Sequence, residues 1–100
     1  MPFHLAVYNN ATPKVLLRLY VYHPNCVKHR DNNGWLPLHY AADNSRTDII
    51  PWLVELYSLA LFSKDRGDRT PTDIAKQSKN IEARDMLERL AKSFQKKSQK

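Results

Sequence analysis

Asp31-Asn32-Asn33-Gly34-Trp35-Leu36-Pro37-Leu38-His39-Tyr40-Ala41-Ala42 returns further along the chain as Asp65-Arg66-Gly67-Asp68-Arg69-Thr70-Pro71-Thr72-Asp73-Ile74-Ala75, with aspartate, proline and alanine each recurring at an offset of 34. A fixed period of a few tens of residues is the signature of stacked supersecondary units, and it outranks local propensity in deciding a fold. The agreement continues downstream, where Ile49, Leu53 and Leu56 are answered by Ala83, Leu87 and Leu90. An earlier copy, Pro2-Phe3-His4-Leu5-Ala6, precedes Pro37 to Ala41 by 35 residues and is followed by Val15, Leu16 and Leu19. One extra residue therefore sits in its connecting loop.

Each unit carries local signals for two helices. Thr70, Pro71 and Asp73 supply a hydroxyl at the N-cap, a proline at the first helical position and a carboxylate two residues later, which predicts a helix start. Pro37 plays the same part in the middle unit, but Leu36 has no side-chain acceptor, a loss typically worth ~1 kcal/mol. Thr12 and Pro13 start the second helix of the first unit. The second helices show apolar residues at i, i+4, i+7, extended in the last unit by Ala91 and Phe94, so each is amphipathic on one side. Pro51 falls near the start of the middle helix, where a missing amide is tolerated. Trp52 lies about 60° from Ile49 around that helix, on the side away from Leu53, a flank position that predicts partial burial. Asn33-Gly34 and Arg66-Gly67-Asp68 carry turn chemistry for short hairpins between units.

These residues resemble the ankyrin-repeat family, whose unit is a hairpin turn, an inner helix opening with Thr-Pro-Leu-His and an outer helix. Leu36-Pro37-Leu38-His39 with Ala41-Ala42, and Thr70-Pro71-Thr72-Asp73 with Ala75, carry the resemblance, which extends over about residues 1–94. It implies an all-α helical solenoid with short β-hairpin turns, divided into a first repeat over 1–30 without a leading hairpin, a second over 31–64, a C-terminal capping repeat over 65–94 and a basic tail over 95–100. Three departures stand out. Leu36 replaces the usual threonine, so no hydroxyl meets His39. Gly67 precedes the expected glycine position, which Asp68 occupies. Residues 57–63 lack the glycine that ends the outer helix, which predicts a longer helix or an irregular end. Phe3 and Leu5 give the first unit little of the polar outer surface that a terminal unit needs, which points to a piece of a longer array.

Composition sets the function classes. The chain has 100 residues, 42% of them apolar and 26% charged, within the ordinary range of globular domains, so disorder throughout is excluded. A chain this short cannot surround a deep cleft with a large core. The single cysteine, Cys26, leaves no internal disulfide and predicts an intracellular, cytoplasmic protein, with the nucleus as the other compartment. No secretory leader is read at the N-terminus, and the longest apolar stretch, over 49–62, contains Glu55 and Pro51 and is too short for a membrane helix. The net charge of +6 is uneven: residues 79–100 carry seven Lys or Arg against Glu82, Asp85 and Glu88.

No enzymatic constellation emerges. His23, Cys26 and His29 have ligand-like spacing, but Pro24 and Asn25 place them in a loop and no fourth ligand is near, so no metal is expected. His39 is expected to brace its helix start and the neighbouring turn. Gly34 and Gly67 form no phosphate-binding loop, and Asp43, Asp48 and Glu55 form no acid/base pair, so neither cofactor nor catalysis is predicted. The resemblance instead implies a non-enzymatic protein-binding module whose hairpin tips and inner helices face a partner. It assigns Asn32, Asn33, Trp35, Tyr40, Asp43, Asn44, Arg66, Arg69 and Lys76 to that face, and Trp, Tyr and Arg are the types most often at energetic centres of interfaces. Trp35 has a competing reading as packing across the adjacent hairpin, and Tyr40 as intramolecular packing. Two further readings stand beside this one. Lys92, Lys96, Lys97 and Lys100 would bind nucleic acid or an acidic membrane in a basic adaptor, though Phe94 is the only aromatic nearby. A structural spacer in a longer array would have no partner of its own.

Overall fold

The computed structural model describes residues 2–98, with side chains described for residues 3–93. Three successive helix pairs form: α1 (Pro2–Tyr8) with α2 (Pro13–Tyr22), α3 (Pro37–Asp43) with α4 (Ile50–Leu56), and α5 (Pro71–Gln77) with α6 (Ile81–Ser98). The first helices of the pairs make an inner row, α1 against α3 and α3 against α5, and α4 packs on α6 in the outer row. A 3-10 turn follows each of the first two outer helices, over Pro24–Lys28 and Ser58–Phe62. Among the described residues there is no strand, and none is long and apolar enough as a helix to cross a membrane. The predicted repetition is thus realised element by element.

The helix starts follow the sequence signals. The Thr12 hydroxyl accepts from the Val15 amide at 3.4 Å. Thr70 and Asp73 exchange bonds, the hydroxyl accepting from the Asp73 amide at 3.3 Å and the carboxylate from the Thr70 amide at 3.1 Å. At α3, Leu36 offers no acceptor, yet its own amide donates to His39 Nδ1 at 3.0 Å. Half of the reciprocal cap therefore survives, with imidazole replacing carboxylate. Pro51 sits in the first turn of α4, where its absent amide breaks no intrahelical bond.

Burial follows the predicted stripes and goes further. Ile49, Leu53, Ala83 and Leu87 are fully buried and Leu56 and Leu90 partly so. Ile50 and Val54 are also buried, as is Leu16 at the position of Ile50 in the first unit. Alanines at 41, 42 and 75 line the inner row with no exposed surface, which lets the short helices approach closely. Trp52 is half-buried across the unit boundary, 6.4 Å from the Phe3 ring and 5.8 Å from that of Tyr20. In residues 57–63 the chain leaves the helix at Leu56 and forms the 3-10 turn that buries Ala60 and Leu61, so the irregular end is the one observed.

Left-handed backbone recurs at the period without a recurring residue. Asn10, Ser45 and Lys79 follow the three inner helices at φ of 64°, 52° and 59°, and Asp68 adopts 65° at the position where Gly34 adopts 76°. L-residues in this region pay a steric cost that glycine does not, and Asp bears it better than most. In urea unfolding, Asp68→Gly and Lys79→Gly are each expected to raise stability by about 0.5–1 kcal/mol. Gly34→Ala is expected to lower it by about 1–2 kcal/mol, since its Cβ would also stand 3.0 Å from the Arg66 amide nitrogen.

Candidate functional site

The hairpin tips are built on aspartates. Asp31 Oδ1 accepts from the amides of Asn33 and Trp35, both at 2.9 Å, and Asp65 Oδ1 accepts from the Arg69 amide at 2.9 Å. Each turn is closed by a further backbone bond, Asp31 to Trp35 at 3.0 Å and Asp65 to Arg69 at 2.9 Å. The second oxygen of each carboxylate reaches outward. On Asp31 it accepts from the Tyr40 hydroxyl. On Asp65, whose side chain is completely covered, it accepts from Trp35 Nε1 at 2.8 Å and from the Arg69 guanidinium at 3.1 Å. Burial pushes the Asp65 carboxyl upward, but the Arg69 amide, the Trp35 indole and the Arg69 guanidinium together hold it below the usual range. Asp31 is set by the same contest, burial against the Tyr40 hydroxyl and two amides, and also ends low. Burial, reinforced by Asp31, pushes the Tyr40 phenol up to about 12.

Neighbouring hairpins are joined by two more contacts. The Arg66 amide donates to the Asn33 carbonyl at 3.1 Å, and Arg30 Nη1 donates to the carbonyls of Gly34 and Lys64, each at 2.9 Å.

Histidines tie the first two inner helices to the hairpin that follows. His39 Nε2 lies 3.2 Å from the Arg69 carbonyl, and His4 Nε2 lies 3.2 Å from the Trp35 carbonyl and 2.8 Å from that of His29. A carbonyl only accepts, so Nε2 carries the proton in both rings, and Nδ1 of His39 is free to accept from Leu36. Both rings are buried. Burial pushes both below the usual value of 6.5, against the raising effect of the carbonyls they bond.

Side chains after the inner helices lock the units from the other end. Arg46 donates to the carbonyls of Val7 at 3.0 Å and Ala11 at 2.6 Å, its guanidinium held by Asp48. Asn80, 34 residues on, donates to the carbonyls of Ala42 at 2.9 Å and Asp43 at 2.8 Å. Asn44 donates to the Tyr8 carbonyl at 2.6 Å, and Ser78, again 34 residues on, to the Asp43 carboxylate at 2.6 Å.

The nine residues assigned to the binding face divide into two groups. Asn32, Asn33, Arg66 and Lys76 are exposed, and their side chains make no hydrogen bond among the described residues. Trp35, Tyr40, Asp43, Asn44 and Arg69 are half-buried, each bonded to another part of the chain. Trp35 also stacks on His39 at 6.0 Å and packs edge-on to Tyr40 at 4.8 Å. Sequence reasoning missed Arg30, Arg46, Asp65 and Asn80 as structural donors and acceptors. A search for hydrogen-bonding side chains at offset 34, ignoring identity, would have paired Arg46 with Asn80. Cys26 is buried, and burial pushes its thiol up to about 11; among the described residues no three metal-ligating side chains cluster. Phe94, Lys96, Lys97 and Lys100 lie outside the residues whose side chains are described.

The histidine geometry has a pH consequence. A group whose folded value is depressed binds fewer protons folded than unfolded near neutrality, so its contribution is present above the unfolded value and lost as pH falls. Unfolding free energy is therefore expected to decline as pH drops below ~6.5, before carboxylate titration begins. Nitrogen NMR at pH 7 should show both His4 and His39 as Nε2–H tautomers. A stability flat from pH 7 to 5 would contradict this account.

Residues 3–99 match the family described as ankyrin repeats, in three copies. The chain is similar to an ankyrin repeat protein, L271, of Acanthamoeba polyphaga mimivirus, at 34% identity over 77 residues. That stretch is 77% of this chain and spans about a tenth, 10%, of the relative's length. With three helix pairs, the hairpins between them and the histidine links all repeating at the period, the chain belongs to the ankyrin-repeat family.

Proposed function

We propose that this chain is a non-enzymatic module that binds a protein partner through its hairpin tips and the exposed side of its inner helices. Ankyrin repeats are generally protein–protein interaction modules, and the finer assignment rests on one observation. Asn32, Asn33, Arg66 and Lys76 project from a backbone whose neighbouring polar groups are already bonded within the chain. Such a surface is preorganised, so a partner need not order it on binding. Trp35, Tyr40, Asp43, Asn44 and Arg69 belong to the same face, contributing their outer edges while their polar atoms hold the scaffold.

The division into units at residues 31 and 65, with 65–94 as a capping repeat and 95–100 as a basic tail, is part of this reading. So are the cytoplasmic setting, with the nucleus as the alternative, and the absence of catalysis. The basic-adaptor reading rests on Lys92, Lys96, Lys97 and Lys100, of which only Lys92 lies among the residues whose side chains are described.

The test is capture of proteins from a lysate at moderate salt by the parent chain, by Arg66→Glu/Lys76→Glu and by a chain ending at residue 91. Both substituted sites are exposed, so the charge reversal should leave the unfolding free energy within about 0.5 kcal/mol. It is expected to reduce a specific captured protein at least about tenfold, a change of 1.4 kcal/mol or more. If nuclease or removal of residues 92–100 abolishes capture and the charge reversal does not, the partner is a polyanion held by the basic end.

A further inference from the structure

We propose that the surface of the first helix pair facing away from the second is a repeat–repeat interface, and that its occupant is a further ankyrin-type helix pair stacked in register ahead of α1. Equivalent positions in the three units differ in their cover. Inner-helix positions correspond at offsets of 35 and then 34, and outer-helix positions at 34 throughout.

The side of a unit that faces its predecessor is marked by known contacts. Tyr40 packs on His4 and Tyr8 of the preceding unit, at 5.6 and 5.8 Å between ring centroids. Trp52 packs on Phe3 and Tyr20 of the same unit. In the first unit the position of Tyr40 is held by Leu5 and that of Trp52 by Arg18. Leu5 is 60% exposed, whereas Ile74 at the same position of the third unit is 2% exposed. On the outer helix Val15 is 47% exposed, against 1% for Ile49 and 0% for Ala83. Tyr22, at the position of the part-buried Leu56 and Leu90, is 79% exposed.

At these equivalent positions chemistry and exposure disagree in the first unit, although Leu59, Phe62 and Ile81 are exposed apolar side chains elsewhere in the chain. Leu5, Val15 and Tyr22 keep the apolar character of their buried counterparts but lack the cover. By contrast, Leu17 and Val21 correspond to Pro51 and Glu55 and to Asp85 and Arg89, exposed in every unit, so they face outward whatever precedes α1. A groove lined by Thr12, Lys14, Val15, Leu17 and Arg18 opens beside the uncovered positions. A preceding unit fits because the interface it would make already exists twice in this chain. The relative L271, described as an ankyrin repeat protein, is also about ten times the length of the stretch that matches.

The repeat offsets define the test. Positions 70, 36 and 1 are equivalent, so residues 31–69 fused directly ahead of Met1 add one in-register unit together with the hairpin that leads into α1. Urea unfolding would be followed for the parent, the fusion, and both carrying Leu5→Lys/Val15→Lys. The proposal predicts one cooperative transition for the fusion, with a midpoint higher by about 1 M or more. It also predicts that the lysine pair lowers the fusion midpoint much more than that of the parent, where both sites are solvated. Separate transitions with the parent midpoint unmoved, or equal effects of the lysines in both backgrounds, would overturn it. Sedimentation of the parent as a dimer that the lysine pair dissociates would assign the face to a second copy instead, and would overturn it as well.

Discussion

The carboxylate of Asp65 is the constraint on which the arrangement of the hairpins depends. It sits fully covered between two turns, closing its own through the Arg69 amide and gripping the previous one through the Trp35 indole. A buried carboxylate is costly unless its lone pairs are satisfied, and here donors from both hairpins satisfy them. The geometry that meets this requirement also sets the spacing of the tips. With the hairpins in register, the Arg69 carbonyl is within reach of His39 and the Arg66 amide faces the Asn33 carbonyl. One electrostatic requirement therefore propagates into backbone alignment between units.

That alignment explains how so short a chain can present a defined surface. A small domain has little core, and in a stack each unit is stabilised chiefly by its neighbours. The inner row contributes closely packed alanines together with Phe3, Val7, Leu38 and Ile74. Polar locks operate at both ends of it, the histidines at the hairpin side and Arg46 and Asn80 at the other. The residues left outward, Asn32, Asn33, Arg66 and Lys76, are not needed for these locks. Under the proposed binding mode these four side chains can vary without loosening the locks, whereas Trp35, Tyr40, Asp43, Asn44 and Arg69 serve both the face and the scaffold.

Much of this was legible in the sequence wherever physics repeats through identity. Aspartate, proline and alanine at a fixed offset disclosed the units, and Thr-Pro pairs disclosed the helix starts. Legibility ended where the same task is given to different residues. Arg46 and Asn80 both donate to carbonyls at the end of the preceding inner helix, yet share no composition. Asn10, Ser45 and Lys79 share a left-handed backbone without a common residue type. For Trp35 the sequence leaves two readings open, a partner contact and packing across the adjacent hairpin, because its partner carboxylate is 30 residues away and becomes a neighbour only once the units stack. His39 is legible, since the sequence predicts that it braces its helix start and the neighbouring turn, and its two ring nitrogens are divided between those tasks.

The central claim is that the hairpins are coupled through the Trp35–Asp65 contact, and a double-mutant cycle tests it most directly. Unfolding free energies would be measured for the parent, Trp35→Phe, Asp65→Ala and the pair. Each single change leaves polar groups buried without their partner, so the account predicts a coupling energy of about 1–2 kcal/mol, with the double substitution costing less than the two single costs added together. Strict additivity of the two costs would contradict it, and would leave the coupling of the hairpins to the Arg66–Asn33 and Arg30 contacts.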